Sequence, residues 1–337
     1  MNGLKILSVG PGCTLQDLGR PGMIAAGLTQ GGAADPLALQ EGAALLAQHA
    51  SCAAIEIAGI GGRFEALCDM TIALTGAEMN VHLDGTSLPW GSSHYLAKGA
   101  VLEIGAVRRG VFGYLHVAGG FQTQVQLGSR STHRMIGLGA PLRVGQVLPV
   151  GSSTVPSGLT LPEDGRFGGG HLRIVPSLQT ESFPEELIQR FLRTGFFRNP
   201  NSTRQAMRLD FDGAGFSDPD QLSVVSEIVV PGDIQIGGDG TPYILLAECQ
   251  TTGGYPRIGT VIPADLPRAV QAPPAAELRF EMLDMITATE AETQARRAQA
   301  KRLRHITPLY RDPAAISDLL SYQLISGAIT GQDQKEN

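Results

Sequence analysis

Three short segments carry the residue types from which a small-molecule site can be built. The densest is Glu248-Cys249-Gln250-Thr251-Thr252-Gly253-Gly254-Tyr255-Pro256, which places an amide, two hydroxyls, two glycine N–H groups and a phenol within six residues. Such a loop can hold a small polar substrate and stabilise a developing oxyanion, because its donors are held in place before charge develops. Asp265, in Pro263-Ala264-Asp265-Leu266-Pro267, is a nearby acid. In Gln16–Gly22, followed by Gly31–Asp35, Arg20 can grip a carboxylate with a two-pronged hydrogen bond while Asp17 holds it. The same two residues also suit a structural pair that pins a turn. In Val117–Gly120 with Leu127–Thr132, consecutive glycines allow close backbone approach to a ligand. Ser129, Arg130, Ser131 and Thr132 add hydroxyls and a fixed cation, although such residues also make ordinary hairpins.

Other chemistries are excluded. There is no Gly-x-Ser-x-Gly elbow for Ser129 or Ser131, and Cys249 has no histidine assignable to it, so it reads as a buried or incidental thiol. Cys13, Cys52, Cys68 and Cys249 form no close pair, and the seven histidines never fall at metal-ligand spacing, so no metal is expected. The four lysines, Lys5, Lys98, Lys301 and Lys335, leave no P-loop and no Met-Lys biotin attachment signal. Any ATP or biotin would be carried by another chain. A net charge of −6, from 26 basic and 32 acidic residues, argues against a broad nucleic-acid surface. The N-terminus lacks a signal-peptide pattern, and the long uncharged stretches are interrupted by Gly, Gln, Ser and Pro, so no membrane partner and a reducing cytoplasm are the expectation.

Glycine (43) and proline (21) are spread over 337 residues without a three-residue period, and 42% of residues are hydrophobic, which favours a turn-rich, mainly β protein with a sizeable core. Short strands are predicted at Met70–Leu74, Val81–Leu83, Val101–Val107 and Tyr114–Val117, with a hairpin at Asp84-Gly85. Asp35 and Pro36 open a helix with Leu37, Leu45 and Leu46 facing the core. Further strands are predicted at Leu172–Val175, Val224–Val230, Tyr243–Ala247 and Leu278–Leu283. A second helix, after a Ser182–Glu185 capping box, carries Leu187, Ile188, Phe191 and Leu192. Both halves thus read as strands around a helix. The expected division is a first β-barrel over 1–153, a linker over 154–170, a second barrel over 171–284, a helical extension over 285–330 and a disordered tail over 331–337. The extension comprises a charged helix from Thr287 and Glu290 and an amphipathic one after Asp312-Pro313, whose apolar face needs a body or a second copy to pack on.

Taken together and in order, the three segments resemble the bacterial 5-oxoprolinase C-subunit family, also described as allophanate hydrolase subunit 2-like or biotin-dependent carboxyltransferase-like. The resemblance covers about Ile6 to Phe280, and Gln250–Pro256 followed by Ala264–Pro267 is its most specific part. It implies two cyclophilin-like β-barrels. It also implies partnership with the A and B subunits of 5-oxoprolinase in the ATP-dependent opening of 5-oxo-L-proline to L-glutamate. ATP would be handled by the A component, and no cofactor would be bound covalently. It further implies that Arg20 or Arg130 pairs with the substrate carboxylate, with Gln16 and Thr132 beside them. Gln250, Thr251, Thr252 and Tyr255 would orient the amide, Gly253 and Gly254 receive oxyanion charge, and Asp17 or Asp265 steer water. The sequence departs from the pattern at Gly32–Asp35, Arg204–Ala206, Gly237–Gly240 and Glu248-Cys249. Relatives of this kind also include carboxyltransferases acting on urea and antagonists of a kinase inhibitor, which stand as alternatives.

Overall fold

The computed structural model describes residues 2–217, 225–274 and 276–310. The first unit is one sheet of nine strands: β1 (Gly3–Val9), β2 (Thr14–Gln16), β3 (Ala54–Ala58), β4 (Ile60–Ala66), β5 (Met70–Leu83), β6 (Thr86–Ser87), β7 (Ser93–Leu96), β8 (Val101–Val117) and β9 (Val147–Pro149). The order is β2-β3-β8-β4-β1-β9, with β5 also on β8 and with β6 and β7 on β5. The four short runs read from the sequence are therefore the ends of two long strands, β5 and β8. They pair antiparallel, with register shifts between Gly76 and Val81. Such bulges bend a strand and let it continue past a corner. Gly76 sits at the bend with φ +71°, where a Cβ would meet the Phe112 carbonyl oxygen at 2.5 Å. Asp84 and Gly85 both adopt positive φ between the paired Leu83 and Thr86, as a two-residue hairpin requires. Helix α1 (Pro36–Leu45) is capped by Asp35, whose Oδ1 accepts from the Leu37 amide at 3.1 Å. Leu39, Leu45 and Leu46 are buried, whereas Leu37, expected in the core, is only half-buried.

The second unit follows β10 (Leu159–Thr160). Its strands are β11 (Gly170–Val175), β12 (Phe196–Arg198), β13 (Ala206–Asp210), β14 (Glu227–Ile228), β15 (Asp233–Ile236), β16 (Pro242–Leu245), β17 (Thr252–Gly253), β18 (Arg257–Val261) and β19 (Glu277–Met282). Seven of them close a barrel in the order β11-β18-β15-β16-β13-β12-β19, sealed by parallel pairing of β19 with β11. Helix α2 (Glu185–Arg193) packs Phe191 into the barrel core against Phe196, Phe216 and Phe280. The expected capping box does not form: α2 starts at Glu185 with Pro184 in the N-cap position and no side-chain cap. Proline disfavours helical geometry in the residue before it, so Phe183 is extended and Ser182 cannot cap this helix. Of the strand predicted at Val224–Val230, the described part pairs only as β14, on β17; Val224 lies outside the described residues.

A short helix, α3 (Leu266–Gln271), goes unread in the sequence. Helix α4 (Met285–Leu303) begins two residues before Thr287, because Asp284 Oδ1 accepts from the Ile286 and Thr287 amides, both at 2.9 Å. Beyond it β20 (Thr307–Pro308) returns to pair with β10. The 154–170 segment is thus part of the packed body, and its Arg166 is buried. The predicted second helix of the extension and the tail at 331–337 lie outside the described residues. Among those described, no helix is long and apolar enough to cross a membrane, and no His, Cys, Asp and Glu cluster could hold a metal.

The two units share one core, in which Ala38, Leu39, Phe112 and Tyr114 join Leu172, Phe191 and Val270. A buried polar chain crosses the same interface. Arg166 pairs with Asp35 (2.9 Å), Glu41 (2.7 Å) and Asp164 (2.8 Å), and Arg302 of α4 also pairs with Glu41. Gln271 of α3 donates to Asp35 Oδ2 (2.8 Å) and to the Phe112 carbonyl (2.9 Å), while its own oxygen accepts from the Val111 and Phe112 amides.

Candidate active site

Strand β15 alternates as strands must, with Ile234 and Ile236 in the barrel core and Gln235 on the opposite face. Tyr243 and Leu245 line the same cavity from β16. The Gln250–Tyr255 loop and the β14/β17 pair wall off this face, leaving a cavity of about 580 Å³, within the range of small-ligand sites. Gln250, Thr252, Gly253, Gly254 and Tyr255 all line it. Gln235 Nε2 is enclosed there without a hydrogen-bond partner among the described residues. A Cβ on Gly253 would approach that nitrogen to 2.3 Å, so the glycine is what admits the Gln235 amide. Thr251 does not line the cavity; its carbonyl accepts from the Val229 amide at 3.1 Å. Cys249 is buried, and its thiol is pushed up to about 12, first by burial and then by the charge of Asp233. It stays protonated at neutral pH and is no nucleophile.

The other two segments meet in the first unit. Asp17 Oδ1 accepts from the Gly19 amide (2.8 Å) and the Ser129 (2.6 Å) and Ser131 (2.5 Å) hydroxyls, and Oδ2 accepts from the Arg130 amide (2.7 Å). A carboxylate so engaged ties two loops together. Arg20 donates Nε to the Gln126 carbonyl (3.0 Å) and Nη2 to that of Ser131 (2.7 Å). Arg130 donates to the Thr123 carbonyl (3.1 Å) and Gln122 (3.3 Å). Gln16 Nε2 donates to Thr14 Oγ1 and the Thr132 carbonyl, both at 3.0 Å. Thr132 itself donates to the Ala140 carbonyl at 3.4 Å. Gln16 Oε1, Arg20 Nη1 and His133 Nδ1 are each enclosed without a hydrogen-bond partner among the described residues. Burial holds the His133 imidazole below its ordinary range.

The two groups are joined through Glu248, at the root of the Gln250–Tyr255 loop. Its Oε2 accepts from the Arg134 amide of the first unit (3.2 Å), and its Oε1 accepts from Arg204 Nε (2.6 Å). Arg204 also pairs with Glu56 of the first unit, which accepts in addition from the Ala34 amide (2.8 Å) and the Tyr114 hydroxyl (2.7 Å). Asp265 is elsewhere. It accepts from the Arg173 backbone amide (2.8 Å) and from that residue's guanidinium through Nε (2.8 Å) and Nη2 (2.6 Å), and it lines a separate cavity with α4. The geometry thus gathers five of the candidate residues around one cavity and sets Gln16, Asp17, Arg20, Arg130 and Thr132 in a second network within the first unit. Asp265 stands apart from both.

A family model for the carboxyltransferase domain, subdomain A and B, matches residues 26–282. The chain is 30% identical to the 5-oxoprolinase C subunit of Escherichia coli over 298 residues, covering 87% of this chain and 96% of that protein. It is 31% identical to the Haemophilus influenzae protein of the same name over 287 residues, covering 84% and 92%. The chain belongs to the 5-oxoprolinase C-subunit family. Among solved structures, TTHA0988 superposes with a TM-score of 0.76 at 28% identity over 83% of this chain, which spans only 56% of that one. The urea amidolyase of Kluyveromyces lactis superposes with a TM-score of 0.77 over 92% of this chain and 21% of its own. At 21% identity it speaks for the fold alone.

For this family member, sequence reasoning missed Gln235, Glu248, Arg204 and Glu56 as residues that shape the site. Gln235 does leave a trace, as the one amide in the otherwise apolar Ile234-Gln235-Ile236 alternation. The Glu56–Arg204 pair leaves none, because its members lie 148 residues apart.

Proposed function

We propose that this chain is the C component of an ATP-dependent 5-oxoprolinase and acts with the A and B components to open the lactam of 5-oxo-L-proline to L-glutamate. The observation that carries this reading is the 580 Å³ cavity under the Gln250–Tyr255 loop, with the Gln235 amide nitrogen inside it unpartnered among the described residues. Names borne by the Escherichia coli and Haemophilus influenzae relatives point the same way. In this reading Gln235, Gln250 and Thr252 orient the ring amide, and Thr251 acts through its backbone. The Gly254 N–H faces the oxygen on which charge develops once the lactam has been activated, while the Gly253 N–H is engaged in the β14/β17 pairing. A lactam is a poor electrophile; phosphorylation of its oxygen by the ATP-handling component makes the carbon attackable by water. Asp17 and Asp265, each held by several donors of its own, anchor loops in this reading.

The test is ATP-dependent glutamate release from 5-oxo-L-proline by this chain reconstituted with its cognate A and B components, with a control that omits only this chain. Activity is expected only in its presence. Thr252→Val should lower turnover by about 100-fold, the order set by losing one preorganised donor, while the complex still assembles. An assembled complex that releases no glutamate would overturn the reading and favour carboxyl transfer, the activity after which the matching domain family is named.

A further inference from the structure

Beside the loop cavity, and sharing Gln205 with it, a cleft of about 760 Å³ runs between the two units. Its walls are largely apolar, including Val107, Phe112, Met135 and Pro200. Its charged groups are Arg134, Arg198, Arg204 and Glu248. Arg204 is neutralised by Glu56 and Glu248. Arg198 differs. Only 6% of it is exposed, and it has no carboxylate partner among the described residues. It donates Nη1 to the Val270 carbonyl (2.7 Å) and lies 5.8 Å from the Phe112 ring centroid. Its Nε and Nη2 have no acceptor among the described residues and are not among the enclosed, unpartnered atoms, so they open onto the cleft. Burial alone pulls its guanidinium down to about 10, still charged at neutral pH. Arg134, at the same cleft, also has no carboxylate on its exposed side chain among the described residues. Three guanidinium groups against Glu56 and Glu248 leave the cleft one positive charge in excess.

A buried, unpaired guanidinium is costly to the fold, and proteins retain such groups where a ligand supplies the missing anion. We propose that the inter-unit cleft is a carboxylate-binding site. Arg198 anchors a small monocarboxylate by a two-pronged hydrogen bond, Arg134 closes over it, and the apolar walls take its uncharged body. On the reading above, the molecule so held is 5-oxo-L-proline on its way to the loop cavity, or the glutamate leaving it, and not the one whose lactam already lies in that cavity. Arg20 and Arg130 each spend Nε and Nη2, the pair that Arg198 leaves open, on oxygens of their own loops.

The test measures calorimetric binding of 5-oxo-L-proline, its neutral amide and L-proline to the full chain, alone and assembled with the A and B components. The wild type should bind the acid at least 10-fold more tightly than the amide. Arg198→Met should weaken the acid by about 10- to 100-fold, the worth of one or two hydrogen bonds to a charged group, without changing the amide. Arg198→Lys should recover part of the loss. Removing an unpaired buried charge should leave the melting temperature of Arg198→Met equal or higher, whereas a merely structural arginine would lower it. Equal binding of acid and amide, or carboxylate binding indifferent to Arg198 in both settings, overturns the proposal. Arg198-dependent binding of L-proline but not 5-oxo-L-proline would keep the carboxylate site and reject the 5-oxoprolinase reading.

Discussion

Arg204→Met tests whether the two units are joined by charge. The arginine stands between Glu56 of the first unit and Glu248 of the second, both almost wholly buried. Removing one partner of a buried ion pair costs about 3–5 kcal/mol, because the other charge is left desolvated. Two carboxylates are orphaned here, but not equally. Glu56 keeps the Ala34 amide and the Tyr114 hydroxyl, whereas among the described residues Glu248 keeps only the Arg134 amide at 3.2 Å. A total loss of about 4 kcal/mol follows, a large share of the roughly 5–15 kcal/mol that holds a domain. Denaturant unfolding at pH 8, followed by the fluorescence of the single tryptophan, Trp90, should show it directly. Neutralising the worse-served acid with Glu248→Gln should then return about 1–3 kcal/mol.

The pH dependence supplies the sign. An orphaned carboxylate has its folded pKa raised above the unfolded value, near 4.3 for Glu. It therefore destabilises the fold most when ionised, and the deficit against wild type should shrink as pH falls from 8 to 5. A deficit below about 1 kcal/mol, or one that does not change over that window, would mean that the acids are solvated and that the pairs do not hold the units together.

Two further outcomes follow from the same accounting. His116 is fully buried against Gly42 of α1 and bonded to Thr75 (2.8 Å), and burial pulls its imidazole down to about 3. A base depressed in the fold gives stability that is whole above the unfolded pKa of about 6.5 and lost below it. Between pH 7.5 and 5 the loss amounts to about 2 kcal/mol, so His116→Gln should flatten the stability profile by that amount; matching slopes in the two proteins would refute it. Asp17→Asn removes an anion that accepts four hydrogen bonds. It should cost about 1–3 kcal/mol and speed hydrogen exchange at the Arg130 amide, and an unchanged exchange rate there would contradict the anchoring role.

Features written in consecutive residues were legible before any fold was known. Asp84-Gly85 makes a hairpin because both residues tolerate positive φ. Asp35-Pro36 opens α1 because the cap and the fixed φ are local properties. The Gln250–Tyr255 loop announces a polar site by density alone, and the family resemblance through these segments agrees with the match over residues 26–282. Local pattern failed where a neighbour or a distant partner intervened. Pro184 displaced the Ser182 cap, and Met70–Leu83 and Val101–Val117 continued through bends that looked like strand ends. Tertiary structure alone decided that Asp265 belongs to Arg173, that Arg204 bridges Glu56 and Glu248, and that Arg198 sits in a cleft with no carboxylate partner among the described residues. The physical reason is closure. Parallel pairing of β19 with β11 and the shared core bring together residues more than a hundred positions apart. The partner of a buried charge is then set by strand register and packing, which no local spacing along the chain records.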